Sequence, residues 1–219
     1  MPEYYSLQFV LFMIVTVMVY YFPGKKKPGL QWVCLLASSL LYYLWSGAFY
    51  IIFILVTAFT TWMAGILFGK INTCSKDEIG NIPKTAKEQR ENVKKKYKNR
   101  KRFVLIVVLL ISFGILAFIK YVPEGWRPIK GLLLPLGISF YTFQSASYVI
   151  DSYNGDYKPE RNFPKYLLFV SYFPQLIQGP INRFDELSGQ LTAKRDHIDI
   201  CSFKKGFSGL AMVCLRNMR

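Results

Sequence analysis

Long charge-free runs dominate the hydropathy pattern of this chain. From Pro28 to Gly69 no charged residue occurs. At about 1.5 Å per helical residue that run reaches roughly 60 Å, about two bilayer cores. The Ser46-Gly47 pair near its middle predicts the turn between two spans. Further uncharged runs cover Tyr4 to Gly24, Phe103 to Ile119, Gly131 to Ile150 and Tyr166 to Asn182. A helix in a soluble core seldom stays uncharged for so long, because one face must meet water. The expected fold is all-α, a multi-pass integral membrane helical bundle, with broken or re-entrant helices in the C-terminal half. Spans are predicted at about 5–22, 30–45, 48–68, 103–120 and 132–151. A broken or re-entrant segment follows at 163–184, then the start of a further helix at 203–215. All belong to a single membrane domain.

Charge fixes an expected orientation. The sequence carries 28 Lys and Arg against 13 Asp and Glu, a formal net charge of +15. Basic patches bind phosphate backbones, but here the charges fall between spans. Lys25 to Lys27 follow the first run, and Lys and Arg crowd the segment 70–102, opposed by Asp77, Glu78, Glu88 and Glu91. Cytoplasmic loops collect Lys and Arg, so 70–102 reads as a basic cytoplasmic loop and the N-terminus lies outside. The implied partner is the lipid bilayer, and no nucleic acid. From Pro83 onward the loop is rich in Lys, Glu, Gln and Arg and is expected to turn helical. As a surface helix it would be drawn to anionic headgroups; as a solvated loop it would meet only water, and the sequence leaves both readings open. Met1 to Gln8 lacks the basic residue of a cleavable signal peptide, so the first span is expected to be retained. Cys34, Cys74, Cys201 and Cys214 have neither metal nor redox spacing.

Past Gly131 the apolar runs become studded with polar residues and helix breakers. Tyr141, Gln144, Tyr148 and Asp151 are three, four and three residues apart and share one helical face. Ser171, Gln175, Gln178 and Asn182 repeat the pattern, with Arg183 directly after. Pro174 cannot donate to the carbonyl of Val170 and should kink or break its helix, and Gly179-Pro180 should break it again. Polar side chains at membrane depth face protein or a wet cavity, so both stripes are expected to look inward. They are candidates to line a passage or contact substrate. Amides and hydroxyls also bind membrane helices to one another with no further task, and spacing leaves both readings open.

The run PLGISFYTFQSASYVIDSYNG (Pro135 to Gly155), then ERNF (Glu160 to Phe163) and FVSYFPQLIQGPINRF (Phe169 to Phe184) resembles the membrane-bound O-acyltransferase family. The resemblance is to its bacterial branch that acetylates alginate and related envelope polysaccharides, with the D-alanyl-teichoic acid enzyme as a cousin. YYSLQFVLF and LLASSLLYYLW near the N-terminus fit more loosely. The resemblance implies a many-helix bundle around a passage, and acyl transfer to a hydroxyl with an interior histidine as general base. It implies an acyl thioester donor from the cytoplasmic side, with no bound cofactor. It also implies a polysaccharide acceptor across the membrane and partner proteins for acetylation.

The sequence departs from the family near its end. The family's histidine lies in a Trp-Arg-x-Trp-His type motif downstream of a stretch like Phe203-Lys204-Lys205-Gly206-Phe207, and no such motif follows here. His197, the one histidine, sits in the polar stretch Lys194 to Asp199 and is not expected to be catalytic. The chain therefore reads as an N-terminal portion, by truncation, frameshift or gene splitting, inactive alone and without a catalytic residue or metal site of its own. Two rival readings share the helical pattern: a transporter, whose broken helices also serve substrate passage, and a non-catalytic scaffold subunit.

Overall fold

The computed structural model describes residues 7–21, 31–47, 50–83, 86–121, 137–178 and 182–193. Among them the chain forms helices and turns with no strand: α1 (Leu7–Tyr21), α2 (Gln31–Ser46), α3 (Tyr50–Gly80), α4 (Lys87–Tyr121), α5 (Ile138–Asn154), α6 (Phe163–Ser171), α7 (Phe173–Gln178) and α8 (Phe184–Thr192). The expected helix at 203–215, the stretch 132–136, Gly179-Pro180 and His197 lie outside the described residues.

No proline interrupts the chain between Pro28 and Pro83, and α3 runs long accordingly. Its 31 residues and the 35 of α4 correspond to about 46 and 52 Å. Both exceed a hydrocarbon core of about 30 Å, so each carries a polar extension. The segment 70–102, expected as a loop with a helical second half, is helical at both ends. Only 81–86 connects α3 to α4. Hydropathy marks where a chain leaves lipid. The helix itself ends later, at Gly80, short of Pro83.

Helix α3 packs against α2, α4, α5 and α6. Its inward face recurs every three or four residues: Ile54, Ala58, Thr61, Ala64 and Phe68 are all buried. Helix α4 contributes the narrower stripe Val108, Ser112, Leu116 and Ile119. Hydroxyls within these apolar helices bond back to their own turns, as Thr16 does to the Phe12 carbonyl at 2.9 Å and Thr61 to the Thr57 carbonyl at 2.6 Å.

The outside of the bundle is apolar as well. Leu11 and Met18 of α1, Leu41 of α2, Val56 and Phe59 of α3, and Ile106 and Phe118 of α4 all face outward. Phe103 is 71% exposed and Leu110 68%. Helices apolar on both faces belong in lipid. The protein is an all-α membrane helical bundle.

Candidate functional site

Gly137 (φ 68) and Gly155 (φ 86) bracket α5, both left-handed, a region open to glycine and costly for other residues. The Gly155 N–H donates to the Asp151 carbonyl and closes the helix. Between them most of α5 is buried, including Tyr141, Gln144, Tyr148 and Asp151; Phe140, Phe143 and Ile150 form the exposed strip.

Each member of the buried stripe meets a different surrounding. The Tyr141 side chain is wholly enclosed and its hydroxyl has no hydrogen-bond partner. Gln144 Nε2 donates to the Phe169 carbonyl at 3.0 Å. Tyr148 accepts the Glu160 N–H on its hydroxyl at 3.2 Å, while its backbone carbonyl accepts the Tyr157 hydroxyl at 3.0 Å. Its ring lies 4.4 Å from that of Tyr166 and 5.0 Å from that of Phe184. Asp151 hydrogen-bonds with Ser147 and feels the positive charge of Arg183, opposed by Asp156 and Asp185. In the turn after α5, burial pushes the Tyr157 phenol up from its ordinary pKa, so it stays a donor.

The second stripe is divided. Helix α6 stops at Ser171 and α7 begins at Phe173, with Tyr172 between them in a non-helical conformation (φ −58, ψ 103). Pro174 causes the break, since its ring crowds the preceding turn and it has no N–H to give. The spacing from Ser171 to Gln175 therefore crosses two helices. Ser171 is fully enclosed, its hydroxyl unpartnered, and Gln175 is buried. Gln178 ends α7, with its side chain outside the described set. Asn182 is half-buried and Arg183 exposed at the start of α8.

At the break one helical bond has come apart, and two other helices hold its halves. In an unbroken helix the Phe173 N–H would donate to the Phe169 carbonyl. Here it donates to Ser39 Oγ of α2 at 3.4 Å, and the carbonyl takes the amide of Gln144 from α5. Ser39 passes its own proton to the Leu35 carbonyl at 2.8 Å. Both backbone groups are thereby satisfied away from water, where leaving either bare costs about 1–3 kcal/mol.

Several residues that complete this region do not stand out in the C-terminal stripes. Thr61 and Tyr166 share a buried hydrogen bond at 2.8 Å. Trp62 Nε1 donates to the Glu160 carbonyl at 3.0 Å. Gly65 lies under Tyr148, where a Cβ would come within 2.6 Å of the phenol oxygen. The available signal was Thr57, Thr61 and Gly65 at spacings of four, a small-residue face of the kind that lets membrane helices approach. The assembled face offers phenols, amides, hydroxyls and the Asp151 carboxylate, but no imidazole among the described residues. It can orient a hydroxyl-bearing ligand by hydrogen bonds.

Comparison with known proteins gives a consistent set of relatives. The chain is 30% identical over 203 residues to the alginate O-acetylase AlgI of Pseudomonas aeruginosa, covering 86% of this chain and 34% of that one. It is 32% identical over 130 residues to the peptidoglycan O-acetyltransferase of Helicobacter pylori, covering 44% of this chain and 25% of that one. A shorter match, 31% over 62 residues, is to the teichoic acid D-alanyltransferase of Bacillus subtilis, covering 28% of this chain and 16% of that one. No family model and no solved structure matches the chain. The chain spans about a third of the length of the alginate O-acetylases it matches. Those relatives and the ordered motifs along α5 to α8 agree: the chain belongs to the membrane-bound O-acyltransferases, in their alginate O-acetylase-like branch.

Proposed function

We propose that this chain supplies part of a membrane-bound O-acyltransferase that moves an acyl group, acetyl as in its alginate relatives, onto hydroxyls of an envelope or exported polysaccharide. The observation that carries the reading is the buried polar face of α5, α6 and α7. It lies in the stretches Pro135 to Gly155 and Phe169 to Phe184, whose sequence resembles the family, inside a bundle that turns large apolar side chains outward. In this reading Tyr141, Gln144, Tyr148, Asp151, Ser171, Gln175, Gln178, Asn182 and Arg183 border the path of donor or acceptor. The general base is the histidine of the family motif, which these 219 residues do not contain, and His197 plays no part. The donor is an acyl thioester arriving from the cytoplasm, the side on which the α3–α4 connection lies, with the N-terminus outside.

Acyl transfer to a polysaccharide acceptor is the direct test. The 219 residues alone should give none, and a full-length relative should lose transfer when its counterparts of Gln144 or Gln175 are replaced by Leu. Transfer by the purified 219-residue chain, abolished by His197→Ala, would overturn the assignment of the base. In an active full-length protein, cysteines at 144, 175 and 178 should react with small water-soluble thiol reagents more readily than cysteines at 140 and 143. The reverse order would refute the path. Orientation is read from Cys74, exposed on α3, after Cys34→Ser, Cys201→Ser and Cys214→Ser. An impermeant maleimide should reach it only in permeabilised cells.

A further inference from the structure

Where the polar ends of α3, α4 and α5 meet, they line an open-sided cavity of about 320 Å³. Lys94, Lys98 and Lys101 line it from α4. They are four and three residues apart and so project from one face. Asn72 and Ser75 of α3 and Asn154 of α5 add neutral polar groups. Among the described residues no carboxylate lines the cavity. Glu78 accepts the hydroxyl of the lining Tyr97 at 2.6 Å, and Glu91 borders the neighbouring hollow together with Lys94. With both acids counted against three lysines, positive charge is still in excess.

The position of the cavity along α4 matters as much as its charge. Lys101 and Arg102 immediately precede the uncharged run that starts at Phe103. Lys94 to Lys101 spans about 10 Å along the axis. The headgroup layer on each side of a bilayer is roughly 5 to 7 Å thick, so the cavity opens at the level of lipid phosphates. Lys101 is fixed in place: its amine donates to the Tyr153 carbonyl and lies 4.9 Å from the centroid of that ring and 6.0 Å from that of Phe68. Burial pushes its pKa down from the ordinary lysine value, a cost that a bound anion would offset.

We infer that this cavity binds the phosphate of an acidic membrane lipid headgroup, with Lys94 and Lys98 as the charges that grip it and Lys101 as its inner wall. The inference depends on the membrane placement of α4 and is independent of any acyl-transfer chemistry.

Native mass spectrometry of the delipidated chain in detergent tests it, with phosphatidylglycerol and phosphatidylcholine as probes. One phosphatidylglycerol should be retained and phosphatidylcholine released. The pair Lys94→Gln and Lys98→Gln should weaken retention about thirtyfold, from roughly 1 kcal/mol per lysine near a charged surface. Removing the same charge at Lys95 and Lys96, which are exposed and outside the cavity, should leave it unchanged. The pair Lys94→Arg and Lys98→Arg should retain the lipid, and circular dichroism checks that all variants stay helical. Equal loss from both Gln pairs would reduce the effect to diffuse attraction and overturn the site. So would retention of phosphatidylcholine as strong as that of phosphatidylglycerol, or loss in the Arg pair. Displacement of the lipid by an equal concentration of inorganic phosphate would overturn the lipid as its ligand.

Discussion

Helices α4 and α5 are both apolar enough for membrane depth, yet their neighbours hold them by different means. Helix α4 buries one thin stripe and turns Phe103, Leu110 and Phe118 outward. Little about those outward positions is specific, and any large apolar side chain meets the same surroundings. Helix α5 is enclosed on most sides, and its polar residues meet individual partners: Gln144 a carbonyl of α6, Tyr148 an N–H from the turn before α6 and a glycine of α3. Solubility in lipid suffices to place the first helix. Side-chain geometry is needed to place the second.

Substitutions that treat the two helices alike should therefore give unlike results. The largest contrast is between glycines. Gly65→Leu forces a side chain into space held by the Tyr148 phenol and should cost about 3 kcal/mol or more, seen as a sharply lower melting temperature in detergent. Gly114→Ala on α4 meets nothing within 4 Å and should be neutral or stabilise by a few tenths of a kcal/mol up to about 1. Equal destabilisation would erase the distinction. Next comes Gln144→Leu, which strands the Phe169 carbonyl and should cost about 1–2 kcal/mol. Leu110→Ala, on the open face of α4, should stay within about 0.5 kcal/mol.

Smaller still is the Thr61–Tyr166 bond. A double-mutant cycle of Thr61→Val and Tyr166→Phe should return a coupling near 0.6 kcal/mol, as membrane hydrogen bonds do on average. Zero coupling would mean the two hydroxyls merely touch. The least effect is expected at Tyr97→Phe, in the polar extension, where the loss should approach the resolution of a melt. Its bond to Glu78 holds the phenol's proton above the ordinary pKa of 10.0. The contribution is present below that pH and fades as pH rises through the higher folded value, so variant and parent should converge in strong alkali.

Sequence pattern made different parts of this legible to different degrees. Uncharged runs point to helices because a bilayer leaves the backbone few other ways to satisfy itself. The polar continuations of α3 and α4 were less visible, since loss of hydropathy reads as a loop until a breaker such as Pro83 is weighed. Spacing put Tyr141, Gln144 and Tyr148 on one face of α5, and the structure buries all three. It could not identify what each would meet. The partners lie 25 residues away at Phe169, 12 at Glu160 and 83 at Gly65, and no local period encodes such distances. Pro174 announced a break, whereas the choice of Ser39, 134 residues earlier, to receive the freed N–H depends on how α2 packs.

That opened peptide pair ties three helices into one register. Sliding the segment at Tyr172 along α5 would surrender the amide of Gln144, and sliding it along α2 would surrender the hydroxyl of Ser39. Deleting both side chains leaves the N–H and the carbonyl bare together, because Pro174 still keeps the turn open. Ser39→Ala combined with Gln144→Leu should accordingly cost about the sum of the two losses. The proline opens the turn, and the neighbours decide only where it comes to rest.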